Sequence, residues 1–374
     1  MTPLNILHVL RTPVGGLFRH VRDLARGQAA RGHRVGVIAD SGTGGRAADA
    51  LLRELEPVLA LGASRTSMPR QPGPTDLTAL AHVMERIAAT RADVVHGHGA
   101  KGGTYARLAP NTRRAIRVYT PHGGSLHYSA ASLSGRVFLG IERLLTRRSH
   151  SLIFESAYSA ETFAKKIGAA RGVARIVHNG VAPAEFDAVM PIADASDLLF
   201  IGELRVLKGV DLLIEAVALL RDAGRPVTLT VVGDGPDRDQ FVEVAVRHGL
   251  DRAIVFAGAM PARQAFARGR VVVIPSRAES LPYIVLEAAA AGKPLIATYV
   301  GGIPEIFGPL GPSLVPPENA RSLADAIRQS LEAPDKAAAT ASALRSRVAE
   351  EFSVDRMVDQ VLAAYAKALK ALRH

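Results

Sequence analysis

One segment constrains the fold more than any other. Residues 271–274 form a short apolar, β-branched run, the composition of a strand buried in a parallel sheet. Pro275 stops it, and a loop carrying Glu279 and Ser280 follows. Pro282 stands where a helix would begin and Gly292 where it would end. The run 295–297 opens another strand, which completes a strand–loop–helix–strand unit. Glu287 then lies about a turn and a half into that helix, at roughly 3.6 residues per turn. Free backbone amides near Leu281 to Tyr283 point out of the helix start, where an anion would be stabilised. Two carboxylates beside an anion site suit a ligand that also carries hydroxyls. A sugar nucleotide has both features. A capped surface helix with solvated acids is the plainer reading of the same residues.

This stretch, with Glu-Ser-x-Pro, the Leu-Glu-Ala run and Gly-Lys-Pro, resembles the Glu-x7-Glu signature of the retaining GT-B glycosyltransferases, group 1 (family 4). The resemblance implies that Glu279 holds the donor sugar and Glu287 the nucleotide ribose. It covers nearly the whole chain and is strongest in the second half.

At 374 residues the chain is long for one hydrophobic core, so two domains are expected. With no cysteine, disulfides, thiolate catalysis and cysteine metal sites are excluded. The absence of cysteine is mildly favourable for a cytoplasmic location, and the first ten residues read as a strand and not as a leader. The net charge of +11 favours anionic partners such as nucleotide phosphates or an anionic membrane surface. Nucleic acid is not expected, because the chain has no Trp and only 5% aromatic residues to stack bases.

In the first half, an apolar strand at 5–10 leads through Gly15 and Gly16 into an amphipathic helix. That pattern suits phosphate or a close backbone approach, without being the dinucleotide fingerprint. His96 and His98 end a strand, and Lys101 lies among the glycines that follow. No carboxylate or third histidine is near in sequence, so no metal site is expected there. His122 follows another strand in Pro-His-Gly-Gly124, a setting that exposes it to a ligand. The helix 133–149 carries an apolar stripe of Leu133, Val137, Ile141, Leu144 and Leu145, with Arg136, Arg143, Arg147 and Arg148. The favoured expectation is a core-facing stripe with solvated arginines, against an anionic membrane surface.

Residues 182–197 lack periodicity and carry two prolines, and so read as a linker. A second βα series follows. Arg205 and Lys208 sit between a strand end and a helix start, where two cations and the helix dipole would act on one diphosphate. Asp237 and Asp239 form an Asp-x-Asp at a helix amino end, read as capping and not as metal binding.

The expected architecture is α/β: GT-B, with two doubly wound Rossmann-like domains facing across a cleft. The acceptor domain spans 1–188 plus a C-terminal helix, 354–374, that crosses back to it. The donor domain spans 197–353. The resemblance implies a hexosyl transfer with retention, from a nucleotide-sugar to a saccharide or lipid-linked saccharide acceptor, at the inner membrane face. It places Arg205, Lys208, Glu279 and His122 at the chemistry. Gly15, Gly16, Ser280, Leu281, Pro282 and Glu287 complete donor binding, and His98 and Lys101 lie on the acceptor side. No cofactor or metal is needed where two cations meet the leaving phosphate. A nucleotide-sugar epimerase of the same fold and a non-catalytic sugar- or nucleotide-binding module are the alternatives.

Overall fold

A computed structural model describes residues 2–109, 115–123 and 131–373. Gly124 of the Pro-His-Gly-Gly segment lies outside them. The chain divides into two units, Met1–Asn179 with Val354–His374, and Gly180–Ser353.

The first unit runs β1 (Asn5–Leu10), α1 (Gly15–Ala30), β2 (Arg34–Asp40), α2 (Gly45–Leu55), β3 (Ala63–Thr66), α3 (Thr75–Thr90) and β4 (Val94–His98). It continues with α4 (Gly99–Leu108), β5 (Ile116–Thr120), α5 (Leu133–Thr146), β6 (Ser151–Phe154), α6 (Ala157–Lys166) and β7 (Val173–Ile176). Its seven strands are parallel, in the order β3-β2-β1-β4-β5-β6-β7. Strands β4, β5 and β6 are buried along their whole length, although β4 and β5 carry His96, His98, Arg117 and Thr120 within them. The order reverses between β1 and β4, so the loops leaving these neighbours open a crevice at their carboxyl ends.

The second unit contains β8 (Ser196–Ile201), α7 (Val210–Asp222), β9 (Leu229–Val232), α8 (Arg238–Arg247), β10 (Ile254–Gly258) and α9 (Ala262–Phe266). Then come β11 (Gly269–Ile274), α10 (Tyr283–Ala290), β12 (Leu295–Ala297), α11 (Ile303–Phe307), α12 (Ala320–Glu332) and α13 (Pro334–Glu351). Its parallel sheet has the order β10-β9-β8-β11-β12, with the reversal between β8 and β11.

The last helix, α14 (Val354–Arg373), belongs to the first unit. Met357, Val358, Val361, Leu362 and Tyr365 bury themselves against Leu4, Ile6, Val94, Ile116 and Ile153. Its apolar face has the helical spacing of a core-facing helix.

Two expectations are corrected here. The chain enters the second unit at Gly180, before the boundary expected at 188. Phe186 and Val189 of the expected linker pack on that unit's core, and Arg345 donates to the Phe186 carbonyl at 2.7 Å. Prolines there shape a packed segment instead of a spacer.

The second correction concerns α5. Its expected core-facing stripe is exposed: Leu133 by 72%, Val137 by 55%, Ile141 by 41% and Leu144 by 61%. Only Leu145 of the five is buried. The helix is fastened by its opposite face, where Leu139 packs with Tyr119, Leu152, Phe154 and Phe163, and by a polar anchor. Glu142 accepts from the fully buried Arg107 at 2.8 Å and from the Tyr119 hydroxyl at 3.1 Å, and the Arg107 guanidinium stacks 3.8 Å from the Tyr119 ring. Removing one partner of a buried ion pair strands the other charge, at a cost of about 3–5 kcal/mol. Glu142→Ala should therefore cost that much in a denaturant titration; a loss below about 1 kcal/mol would show that the pair does not hold α5.

Candidate functional site

In the second unit, the loops leaving the carboxyl ends of β8 and β11 meet where the strand order reverses. After β8, a short 3-10 turn, Val206–Lys208, ends on Gly209 at φ 70°. A Cβ on Gly209 would fall 2.0 Å from the Pro275 carbonyl oxygen, so glycine alone lets the two loops touch. Arg277 then clamps them. Its backbone N–H donates to the Leu207 carbonyl at 2.9 Å, and its guanidinium donates to the Val206 carbonyl at 2.5 Å. The same guanidinium forks onto both carboxylate oxygens of Asp211 at 2.7 Å and reaches Glu318 at 2.8 Å. Asp237 corrects its expected role. Its carboxylate accepts the Val206 N–H at 2.8 Å and makes no side-chain cap to α8. The acid is spent on holding the cationic loop.

The clamp sets Lys208 against Glu279. The ammonium lies 2.7 and 2.9 Å from the two carboxylate oxygens. The Ser276 hydroxyl donates to Glu279 Oε1 at 2.7 Å, and Thr298 fixes the Ser276 carbonyl at 2.6 Å. Gly301 packs on the Glu279 backbone, where a Cβ would sit 1.9 Å from the carbonyl oxygen. Glu279 is buried, while the Lys208 side chain keeps 25% exposure. An ammonium has three donors, and the carboxylate takes two. Arg205 stands in the same loop with its side chain 44% exposed and Glu203 3.9 Å away.

Ser280, Leu281 and Pro282 continue the second loop into α10. Pro282 is extended at the cap position and, having no N–H, sets direction without donating. Glu287 is half-buried, one turn beyond the start of α10. The direct Lys208–Glu279 pair was not expected, since each was read against a different part of a ligand. Arg277 and Asp237 went unrecognised as loop clamps because their partners, Asp211 and Val206, are distant in sequence.

In the first unit, the carboxyl ends of β1, β4, β5 and β6 gather a histidine cluster. His98 Nδ1 lies 3.0 Å from His122 Nε2, and His98 Nε2 lies 2.9 Å from His8 Nδ1. The ends of this chain are Glu155, 2.6 Å from His122 Nδ1, and Gln28, 2.9 Å from His8 Nε2. His96 joins alongside, bonded to Tyr365 at 2.6 Å and Thr120 at 2.8 Å, and His20 bonds Asn179 at 2.9 Å. With the Gln28 oxygen facing His8, each imidazole of the chain donates toward Gln28. Turning the Gln28 amide would reverse every donor, so that His122 Nδ1–H donates to Glu155. The chain therefore couples the tautomer of His122 to the orientation of Gln28. His122 is also held at φ 52°, an uncommon conformation for a side chain of its size.

Nitrogens of His8, His96 and His98, and of His20, His98 and His122, lie within 4.8 Å of one another. The facing nitrogens are 2.9–3.0 Å apart, a hydrogen-bond separation. Two nitrogens each about 2.0–2.1 Å from a tetrahedral zinc would be about 3.3 Å apart. Both ring nitrogens of His8, His96 and His98 already have partners within the network. The arrangement thus fits a hydrogen-bonded chain better than a metal centre. Sequence reasoning missed His8 and His20 because β1 and α1 are remote from β4 along the chain.

Gly15 and Gly16 are exposed at the amino end of α1, beside the β1–β4 reversal. Lys101 pairs with Asp76 at 2.6 Å and donates to the Gln71 carbonyl at 3.4 Å, a structural engagement its glycine surroundings did not announce.

Comparison with known proteins now decides the family. Residues 14–185 match the family model Glycosyltransferase Family 4, and residues 195–333 match Glycosyl transferases group 1. Glycogen synthase of Mycobacterium tuberculosis is 30% identical over 385 residues, spanning 96% of this chain and 93% of that protein. The chain belongs to glycosyltransferase family 4. Among solved structures, sucrose-phosphate synthase from Thermosynechococcus elongatus aligns with TM-score 0.80 at 21% identity, over 99% of this chain and all of that one. Anabaena HepE in complex with UDP and glucose aligns with TM-score 0.79 at 23% identity, over 97% and 99%. These neighbours share the GT-B fold expected from the sequence. The glycosyltransferase thus carries Lys208–Glu279 in one Rossmann-like unit and the histidine chain in the other.

Burial holds His8 down to about 4, the Gln28 bond opposing, and holds His20 down to about 3, aided by His122. His96 and His98 are pushed well below their ordinary value by burial first, with His8 next for His96 and His96 next for His98. Below pH 6.5 an unfolded histidine binds a proton that these four refuse, so stability falls with pH from 6.5 toward about 4. Thermal melts of the whole chain should show that loss, with amide exchange rising first in the first unit. A flat profile, or earlier opening of the second unit, would contradict the buried neutral cluster.

Proposed function

We propose that the protein transfers a hexose from a nucleotide-diphosphate sugar to a saccharide or lipid-linked saccharide, with retention at the anomeric carbon, in polysaccharide or glycolipid construction. The observation that carries this reading is the Lys208–Glu279 contact at the strand-order reversal beside the start of α10. Ligands of open α/β sheets bind at that kind of crevice. The second unit binds the donor. Arg205 and Lys208, with amides at the start of α10, meet the negative charge that grows on the diphosphate as the glycosidic bond breaks. Glu279 is already oriented by Ser276 and Lys208, and accepts from hydroxyls of the sugar. Glu287 grips the ribose. Lys208, held by Glu279, and the more exposed Arg205 take the charge-neutralising part, so the reaction needs no metal.

The first unit binds the acceptor. His122, oriented by Glu155 and His98, works on the reacting sugar and its phosphate. His98 also lines the acceptor side. The HepE structure holds UDP and glucose, which supports a uridine-diphosphate hexose as the first donor to test.

A charge-assisted bond to the departing phosphate is worth about 1.5–3 kcal/mol. Lys208→Ala should therefore lower kcat with a UDP-hexose by roughly ten- to a hundredfold or more. Wild-type turnover by that variant would overturn the donor-phosphate role. Nuclear magnetic resonance of the first-formed product should show the donor's anomeric configuration; the opposite anomer would overturn retention.

A further inference from the structure

The exposed stripe of α5 is the surface that nothing in the sugar-transfer reading uses. Leu133, Val137, Ile141 and Leu144 follow i, i+4, i+8 and i+11, which confines them to about 80° of the helix circumference at about 100° per residue. All four are large, apolar and exposed. Arg136 and Arg147 are exposed along one flank of the stripe, and Arg148, just past the helix, is exposed too. The only acid between Leu133 and Arg148 is Glu142, which is buried against Arg107. The outward face is therefore apolar and cationic, with no anion to offset it. The Glu142–Arg107 anchor and the buried Leu139 and Leu145 lie on the opposite face, so the stripe turns away from the unit's core.

We propose that α5 docks in the plane of an anionic phospholipid surface. A helix of this kind sinks its apolar side chains to the headgroup–acyl boundary, while long arginine stems keep their guanidinium groups among the phosphates. Charge selects the bilayer over a second copy of this chain. A two-fold pairing would set the same arginines against each other in a molecule of net charge +11. No helix among the described residues is long and apolar enough to cross a membrane, so the attachment is peripheral at this site. The docking rests on α5 alone and stands whether or not the donor assignment does.

The test is co-sedimentation of the full chain with vesicles of phosphatidylcholine alone and of phosphatidylcholine with phosphatidylglycerol. The expected result is binding to the mixed vesicles, weakened in high salt, and little to the neutral ones. Each arginine near an anionic surface contributes about fivefold, so R136Q/R147Q/R148Q should bind about a hundredfold more weakly. L133Q/V137Q/L144Q should bind at least tenfold more weakly. Circular dichroism checks that both variants fold; if the apolar variant does not, the arginine variant decides. Wild-type binding by either folded variant, or equal binding to both vesicle types, would overturn the proposal. So would a wild-type dimer that L133Q/V137Q/L144Q splits into monomers.

Discussion

The second unit depends on one close contact. Gly209 presses against the Pro275 carbonyl because β8 and β11 are parallel neighbours whose following loops leave the same edge. That approach brings a cation from one loop and an anion from the other within hydrogen-bond range, although they are 71 residues apart. Arg277 and Asp237 hold the loops from both sides, so the side chains arrive already aimed. Preorganised charge of this kind stabilises a developing anion without reorganising at the moment of reaction. The proposed reaction releases a diphosphate, and an ammonium buttressed by a buried carboxylate suits that load.

The first unit uses burial differently. Strands β1 and β4 place His8, His96 and His98 where desolvation keeps them neutral, and His8 and His98 join His122 in a chain that ends on Glu155. Tyr365 of α14 closes the network from behind through His96, so the last helix supports the cluster as well as the hydrophobic core. Buried polar networks are stable only when their members are paired. That requirement ties the position of His122 to residues as remote as Gln28.

Much of this was legible in the sequence because it is local. The apolar runs, Pro275, Pro282 and Gly292 marked a strand and a helix, and α10 begins at Tyr283 just as that punctuation implies. What stayed hidden depends on which strands become neighbours. His8 could not be linked to His98 until β1 and β4 paired, and Lys101 gave no sign of Asp76. Lys293 of the Gly-Lys-Pro signature is a related case: it is buried and donates to the Gly269 carbonyl at 2.7 Å, holding β11 and not a ligand. Helix α5 misled in another way. Its periodicity was real, but periodicity shows that a helix has two faces and not which one turns inward. Leu139, Leu145 and the buried acid Glu142 mark the inward one.

The most direct test of the central claim is hydrogen exchange with and without a UDP-hexose. Slower exchange should appear in 203–209 and 276–283, the two clamped loops. Unchanged exchange in both, with protection at the opposite edge of the second unit around Arg225, Arg270 and Lys293, would show that the donor binds elsewhere.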